Sequence, residues 1–244
     1  MEKIRLNKYL AQCGVCSRRD ADKIIGAGRV SVNGVTADMG VRVDGHDSVL
    51  LDGKELRAKE EKVVLAYYKP KGVTCTEKDR FAERIVTEEI NYPVRVTYAG
   101  RLDKDSEGLL LLSNDGDLIQ HMMKGSEGHE KEYVVRIKQE VTKEFMEKMS
   151  AGVYLKDLGV KTLPCRIEKR GRYLFYIVLT QGLNRQIRRM CRELSVNVFS
   201  LKRIRVLNIT LDGLRPGEYR EITGKEKADL YRAAGMGNVG KGIG

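Results

Sequence analysis

The sequence predicts an α+β protein with two folded units. From residue 62 onward, runs rich in β-branched, aromatic and aliphatic residues outnumber helical patterns, and they do not alternate with helices as in a doubly wound fold. The 244 residues, 41% of them hydrophobic, suffice for one sizeable core and a small accessory module. A short charged stretch over 55–62 predicts the linker. We therefore expect a module over 1–55, a domain over 62–234 and a glycine-rich disordered tail over 235–244.

The N-terminal module is predicted to be a pair of short helices on a small hairpin sheet. Leu6 and Leu10 give the first helix an apolar stripe, and Ser17 followed by Asp20 starts the second helix as a capping box does. The pair Asn33-Gly34 is typical of a two-residue hairpin turn. Strands are expected over 29–32, 41–43 and 49–51.

The larger domain is predicted from patterns of both periods, with strands in the majority. Strands are expected over 63–68, 94–98, 109–112, 133–137 and 173–180. Helices are expected over 116–124, 142–150, 185–194 and 224–234.

The charge of the chain predicts a polyanionic partner. There are 45 lysines and arginines against 34 acidic residues, a formal net charge of +11, and basic groups bind phosphates by releasing condensed counterions. Residues 161–205 hold twelve basic and two acidic residues, so most of the surplus lies in one segment. Because that segment contains strand-like runs, an amphipathic membrane helix does not fit it.

Composition disfavours several other classes of protein. No run of about 18 apolar residues occurs and the first ten residues carry four charges, so we expect no membrane span, no signal peptide and a cytoplasmic location. Five cysteines form an odd set. Cys13 and Cys16 lack the second pair of ligands that a zinc site needs, so we expect free thiols and no metal.

Three fragments at the start of the chain resemble an S4 RNA-binding domain. They are Arg5-Leu6-Asn7-Lys8-Tyr9-Leu10, the stretch 14–21 and the stretch 28–34, in the order expected of that domain. S4 domains grip the backbone of structured RNA with the positive face of their helix pair. The resemblance implies the same role for the basic residues here, whereas a solvated helix face is the ordinary interpretation without it. These residues are Arg5, Lys8, Arg18, Arg19 and Lys23.

Four further fragments resemble pseudouridine synthases of the RsuA branch. In chain order they are Lys69-Pro70-Lys71-Gly72, Gly100-Arg101-Leu102-Asp103, Lys131-Glu132-Tyr133 and the stretch 182–190. The last fragment is most similar to the RluF group, whose members act on large-subunit ribosomal RNA. The resemblance covers residues 1 to about 225. It implies a catalytic domain on a mixed, mainly antiparallel sheet, and isomerisation of uridine to pseudouridine in 23S ribosomal RNA.

The resemblance also implies roles for individual residues. It makes Asp103 the catalytic aspartate, acting either as a nucleophile on C1′ of the uridine or as a base at its 2′ carbon. Tyr133 would stack on the target base, and Arg101 would fill the gap left by the flipped nucleotide or contact its phosphate. Lys69 is assigned to RNA contact. Without the resemblance, Asp103 is interpreted as part of a polar turn, Tyr133 as a core tyrosine and Arg101 as a surface arginine. No cofactor or metal is implied.

Helical geometry offers a separate argument about the arginine that the resemblance pairs with Asp103. The buried face of the helix over 185–194 is expected to consist of Ile187, Met190, Cys191 and Leu194. Arg188 lies about 60° from Cys191, at the margin of this face, so it is the arginine expected to reach Asp103 and keep it ionised. The arginines expected to point outward, where they suit phosphate contacts, are Arg185, Arg189 and Arg192.

Two other functions fit parts of the sequence. A non-catalytic S4 protein of ribosome assembly explains the charge but not the four fragments. A glycosidase or nuclease would use Asp103, Asp105 and Glu107, but the first leaves the basic segment unexplained and the second needs a divalent metal. The partner we expect is a structured stem-loop of ribosomal RNA, bound by a monomer without a protein partner. The exact uridine, and whether a transfer RNA is also a substrate, stay open.

Overall fold

The computed structural model describes residues 3–57, 61–76, 83–124 and 128–237, and its chain divides into two compact units. The first unit comprises Met1–Lys62, Pro93–Arg95 and Asn114–Gly116, and the second comprises Val63–Tyr92, Val96–Ser113 and Asp117–Gly244. Of the predicted tail over 235–244, residues 238–244 lie outside the described part of the chain.

The first unit holds two helices and six short strands. The helices are α1 (Leu6–Gln12) and α2 (Arg18–Gly26). The strands are β1 (Ile4–Arg5), β2 (Val30–Val32), β3 (Val35–Thr36), β4 (Arg42–Val43), β5 (Val49–Leu51) and β6 (Lys54–Glu55). Four strands form a sheet in the order β3-β2-β5-β6, and β1 pairs with β4.

Local chemistry explains why these elements form where the sequence predicts them. The Ser17 hydroxyl accepts a hydrogen bond from the Asp20 backbone N–H at 3.2 Å and so caps α2. Asn33 and Gly34 have φ values of +51° and +84°, as the two central residues of a tight hairpin turn between β2 and β3 require. The predicted helix pair, hairpin turn and apolar stripe are confirmed, and the stripe enters a core of Leu6, Leu10, Ala21, Ile25, Val30 and Val49.

The second unit is built on one large sheet. Its strands are β7 (Val64–Lys69), β8 (Thr97–Ala99), β9 (Glu107–Ser113), β10 (Lys131–Ile137), β11 (Tyr154–Leu155), β12 (Val160–Lys161), β13 (Arg166–Gly171), β14 (Leu174–Leu179), β15 (Val198–Val206), β16 (Ile209–Thr210) and β17 (Tyr219–Glu221). The remaining helices among the described residues are α3 (Val86–Glu89), α4 (Gly116–Met123), α5 (Lys143–Ser150), α6 (Gln186–Glu193) and α7 (Gly224–Ala233).

The sheet has the order β13-β14-β10-β15-β9-β7-β17, with β16 added to β15 and β8 added to β9. Among the described residues, the strand pairings of this sheet are antiparallel except that of β15 with β9, which is parallel. The predicted α+β class with a mixed, mainly antiparallel sheet is therefore confirmed. β11 and β12 form a separate two-stranded hairpin.

Two apolar cores cover opposite faces of this sheet, one toward each end. One core joins β7 and β9 to α4 and α7 through residues such as Ala66, Leu109, Leu118 and Leu230. The other joins β10 and β14 to α5 and α6 through residues such as Val135, Phe175, Met149 and Met190. Side chains alternate between faces along a strand, so Lys69 lies on the face opposite to Ala66, and Tyr133 lies on the face of Val135.

The four predicted helices of the larger domain are confirmed as α4, α5, α6 and α7. Each predicted end lies within one residue of the observed end. The predicted strand over 94–98 is displaced, because β8 spans only Thr97–Ala99. The nine-residue β15, the longest strand, was not predicted. Lys202, Arg203 and Arg205 break its apolar alternation, and two register shifts against β10 change which residues share a face.

One row of paired residues crosses the centre of the sheet. Tyr133 pairs with Ile177 on one side and with Arg203 on the other, Arg203 pairs with Gly108, and Gly108 pairs with Lys69. A Cβ on Gly108 would lie 2.2 Å from the Arg203 carbonyl oxygen. Only a residue without a side chain fits between Arg203 and Lys69 at this point.

We predict that Gly108→Ala destabilises the protein more than Gly217→Ala. Both glycines have a left-handed φ, +111° and +90°, so alanine costs each about 1–2 kcal/mol in backbone strain. At Gly108 the new Cβ must also displace the backbone of Arg203, which adds about 1–3 kcal/mol, as overpacking does. No heavy atom lies within 4 Å of a Cβ at Gly217. Urea denaturation measures both losses, and equal losses would show that the close approach of the strands is not limiting.

Candidate active site

Residues from all four fragments of the larger domain meet at one cavity or directly beneath it. The cavity has a volume of about 490 Å³, and its lining includes Arg101, Asp103, Tyr133 and Arg185. Asp103 stands on the loop between β8 and β9, Tyr133 projects from β10, and Arg185 immediately precedes α6. The lining also includes Arg203 from β15, which the sequence analysis did not single out.

The Asp103 loop is fixed by its own backbone and by the turn that follows β7. The Ser106 N–H donates to the Asp103 carbonyl at 3.1 Å, and the Gly72 N–H donates to the Lys104 carbonyl at 2.8 Å. The Leu102 N–H lies 3.5 Å from the Cys75 sulfur. Because these bonds use backbone atoms, they set the direction of the loop without occupying the Asp103 carboxylate.

Lys69 anchors the same loop from below. Its side chain is fully buried and its ammonium donates to the carbonyls of Ser106 at 2.8 Å and Pro70 at 2.9 Å. The structure thus contradicts the expectation that Lys69 contacts RNA, because the strand places the side chain inside the protein. Burial lowers the pKa of Lys69 from its ordinary value to about 8, against the opposing influence of Cys75 and Asp103.

Arg185 and Arg188 contact the Asp103 loop, but not in the way that the helical wheel predicted. Arg185 donates to both oxygens of Asp105, at 3.0 and 2.9 Å, and its Nη1 lies 3.7 Å from Oδ2 of Asp103. Arg188 donates to the Asp105 carbonyl at 3.0 Å and the Ser106 hydroxyl at 3.3 Å. The expected pair of Arg188 with Asp103 is therefore not present, and Arg185 approaches Asp103 instead.

The backbone at Arg185 explains this difference. Arg185 is the N-cap of α6, with φ of +50° and ψ of +33°, and the helix begins only at Gln186. The rotation of about 100° per residue therefore does not apply to Arg185, whose side chain turns toward the loop. Within α6 the predicted buried positions Ile187, Met190 and Cys191 are buried, and Gln186 is buried as well.

Asp105 takes up the arginine contacts, and Asp103 keeps its carboxylate available. The hydrogen bond from Arg185 lowers the pKa of Asp105 below its usual value, and the Arg188 charge adds to this. Among the residues that the structure describes, none donates a hydrogen bond to the Asp103 side chain, which is 27% exposed. A carboxylate with a nearby cation and free oxygens is suited to act on a bound substrate.

The other two arginines of α6 bind one carboxylate on the β11–β12 hairpin. Arg189 and Arg192 both pair with Asp157, Arg192 at 2.6 Å. The expectation that these side chains point into solvent is correct for Arg192, which is 61% exposed, but not for Arg189, which is 19% exposed. Asp157 thus occupies the position that a phosphate would take between two guanidinium groups.

The remaining predicted side chains are exposed or half-buried. Arg101 is exposed where it lines the cavity, and Tyr133 is half-buried there. In the first unit, Arg5, Arg18, Arg19 and Lys23 are exposed and Lys8 is half-buried.

Arg203 is the residue of this site that the sequence analysis missed. Its side chain lines the cavity although the residue is only 3% exposed. Basic residues interrupt the apolar alternation over 198–206, so the sequence resembled an exposed segment and gave no signal for a buried Arg203.

The described residues contain neither a candidate metal site nor a helix that could span a membrane. Within 3–57, 61–76, 83–124 and 128–237, no group of three or more histidine, cysteine or acidic residues is placed to hold a metal ion. None of the helices in those ranges is long and apolar enough to cross a membrane.

Comparison with known proteins agrees with this arrangement. The model of the RNA pseudouridylate synthase family matches residues 63–193, and that of the S4 domain matches residues 4–49. The chain belongs to the RNA pseudouridylate synthase family. It is an RNA pseudouridine synthase with an N-terminal S4 domain, and the non-catalytic, glycosidase and nuclease alternatives are wrong.

Individual relatives of this pseudouridine synthase cover nearly the whole chain. It is 43% identical to the dual-specificity RNA pseudouridine synthase RluF of Escherichia coli (strain K12), over 94% of this chain and 79% of that protein. It is 36% identical to the ribosomal large subunit pseudouridine synthase B of Bacillus subtilis (strain 168), over 96% and 98%. A crystal structure of a pseudouridylate synthase superposes with a TM-score of 0.68 at 26% identity, covering 94% of this chain and 99% of that one.

The burial of Lys69 predicts a pH dependence of stability. The folded protein releases this proton near pH 8, whereas the unfolded chain keeps it up to about pH 10.5. Between these values the unfolded state binds more protons, so the contribution of Lys69 to the free energy of unfolding rises with pH, and below the window its cost is present in full. The free energy of unfolding of the wild type, measured relative to that of Lys69→Met at the same pH, should therefore increase as pH rises through this window. A difference that stays constant with pH would contradict the assigned burial.

Proposed function

We propose that this enzyme isomerises a uridine in a structured stem-loop of large-subunit (23S) ribosomal RNA, with Asp103 as its catalytic carboxylate. The observation that carries the assignment is the position of Asp103, whose carboxylate accepts no hydrogen bond from a described residue and lines a cavity shared with Tyr133. The name of the Bacillus subtilis relative supports the large ribosomal subunit as the source of the substrate, and that of the Escherichia coli relative supports RNA.

The reaction requires an ionised carboxylate beside the ribose of a flipped nucleotide. The bond from C1′ to N1 must break, the uracil must turn, and a bond from C1′ to C5 must form before the C5 proton leaves. Asp103 acts on C1′ as a nucleophile or on the 2′ carbon as a base. The guanidinium of Arg185 lies 3.7 Å from Oδ2 of Asp103, close enough to hold the carboxylate in place.

The other residues at the cavity hold the nucleotide. The ring of Tyr133 supplies a flat surface on which the uracil stacks. Arg101, exposed where it lines the cavity, fills the gap left in the RNA or binds the adjacent phosphate. Arg188 acts indirectly, because its bonds to Asp105 and Ser106 hold the loop that carries Asp103.

Basic side chains on both units bind the RNA backbone. The exposed cations of the S4 domain, with Lys8, grip a stem, and Arg185, Arg189 and Arg192 meet phosphates near the target nucleotide. The carboxylate of Asp157 is displaced when a phosphate enters. The enzyme acts in the cytoplasm as a monomer, without a protein partner, metal or cofactor.

The first prediction of this proposal concerns Asp103→Asn. This change keeps the size of the side chain and removes the charge, so pseudouridine formation should become undetectable while RNA binding survives. Asp105→Asn should lower the rate but retain activity, because Asp105 positions the arginines. Tritium release from C5-labelled RNA and filter binding give the two readouts. Release at the wild-type rate by Asp103→Asn would end the assignment.

The second prediction concerns Asp157→Asn. Removal of the competing carboxylate should strengthen RNA binding roughly threefold to tenfold, equal to about 1 kcal/mol. Asp229→Asn is the matched control, because Asp229 is also paired with an arginine, Arg232, but lies on α7. Filter binding at one salt concentration compares the variants. If both gain equally, overall charge and not the Asp157 contact is responsible.

A further inference from the structure

Arg203 carries a buried positive charge that its protein neighbours only partly satisfy. The residue is 3% exposed, and its Nε donates to the Leu109 carbonyl at 2.7 Å. Its buried Nη2 has no hydrogen-bond partner among the described protein groups. Arginine cannot release its proton to avoid this cost, and a buried charge without full pairing costs several kcal/mol. Such a group calls for a functional explanation.

The sheet places this charge beside the proposed base-stacking residue. Arg203 is the direct antiparallel partner of Tyr133, and side chains of such pairs lie on one face with their Cβ atoms about 5 Å apart. Both line the same cavity. A uracil stacked on Tyr133 therefore has the Arg203 guanidinium as a neighbour.

Other cations near Arg203 reinforce its field. Gly108 separates it from the buried ammonium of Lys69 in the cross-sheet row. The charge of Arg203 also contributes, after burial, to the lowered pKa of Lys131, which lines the cavity.

The carboxylates of the loop do not balance this charge. Asp105 is bound by Arg185 and Arg188, and Glu107 contacts the Tyr68 hydroxyl and the Lys71 ammonium. Among described residues, the cavity is lined by six basic side chains and one acidic one, Asp103. Phosphates of the RNA meet the exposed cations, but Arg203 lies too deep in the sheet for a phosphate to neutralise.

The reaction itself produces an anion at this position. When the bond from C1′ to N1 breaks, its electron pair stays on the uracil, whichever route Asp103 takes. The detached base then carries a negative charge over N1 and its oxygens until C5 bonds to C1′, after which C5 loses its proton. A fixed cation that meets a charge formed only during the reaction lowers the barrier without tightening substrate binding.

We propose that Arg203 is a further catalytic residue, whose guanidinium stabilises the detached uracil anion. The inference rests on the proposed role of Asp103, since it requires bond cleavage in this cavity. It accounts for both the incomplete pairing of the arginine and its position opposite Tyr133.

The test compares Arg203→Met with wild type in single turnovers at saturating enzyme. The rate should fall about 100-fold, as on loss of one anion-stabilising donor, with RNA affinity unchanged. The decisive substrate carries 5-fluorouridine at the target, because fluorine stabilises the anion by itself and should shrink the defect at least several-fold. Disappearance of the starting nucleoside, followed by mass spectrometry of nuclease digests, measures both substrates. Arg205→Met is the matched control, since Glu130 and Glu132 bind that arginine, and it should keep the wild-type rate.

Arg203→Lys carries the test if Arg203→Met does not fold. Lysine keeps the charge and loses the reach, so a loss of roughly tenfold is expected, again smaller with 5-fluorouridine. An unchanged rate, or equal losses on the two substrates, would overturn the role of Arg203. Asp103→Asn in the same assay separates the two proposals: if it is inactive while Arg203→Met is fully active, Asp103 stands and Arg203 fails.

Discussion

The close approach of β9 and β15 at Gly108 is the contact on which the site depends. It is the parallel pairing of the large sheet, and it joins the half that carries β7 and the Asp103 loop to the half that carries β10 and α6. A side chain at Gly108 would separate them. The distance between the catalytic loop and Tyr133 is thus set by backbone hydrogen bonds in a rigid sheet, which is how a site keeps reacting groups aligned.

The second organising feature is the unequal treatment of neighbouring charges. Asp105 and Asp157 each receive two arginines, so most guanidinium groups around α6 are satisfied within the protein. Asp103 accepts no hydrogen bond from a described residue, and Arg203 keeps a buried Nη2 without a hydrogen-bond partner, as the Nε of Arg188 also does. In the proposed mechanism, Asp103 and Arg203, which line one cavity, act at the two centres of the reaction, the ribose and the base.

Local signals in the sequence predicted the fold class, the helix pair and hairpin of the first unit, and the positions of the long helices: a capping serine, a hairpin Asn-Gly pair, and apolar residues at helical spacing. The S4 domain was predicted by resemblance. The sequence could not predict β15, because basic residues interrupt its apolar alternation and one of them, Arg203, is buried. The sequence predicted which residues lie near the site better than it predicted how they contact one another. Lys69 proved to be an internal anchor, and the arginine beside Asp103 proved to be Arg185, because burial and an N-cap conformation are tertiary properties that spacing does not encode.

The left-handed backbone of Arg185 has a consequence for how this position can vary. Glycine would relax the φ of +50°, but it would remove the guanidinium that bridges Asp103 and Asp105. The backbone conformation therefore favours glycine, whereas the side-chain contacts favour arginine. The protein has arginine, the residue with the more strained backbone. Glycine here would relieve the backbone strain and lose the ion pairs with Asp103 and Asp105, so the position marks a trade-off between an unstrained backbone and an ordered site.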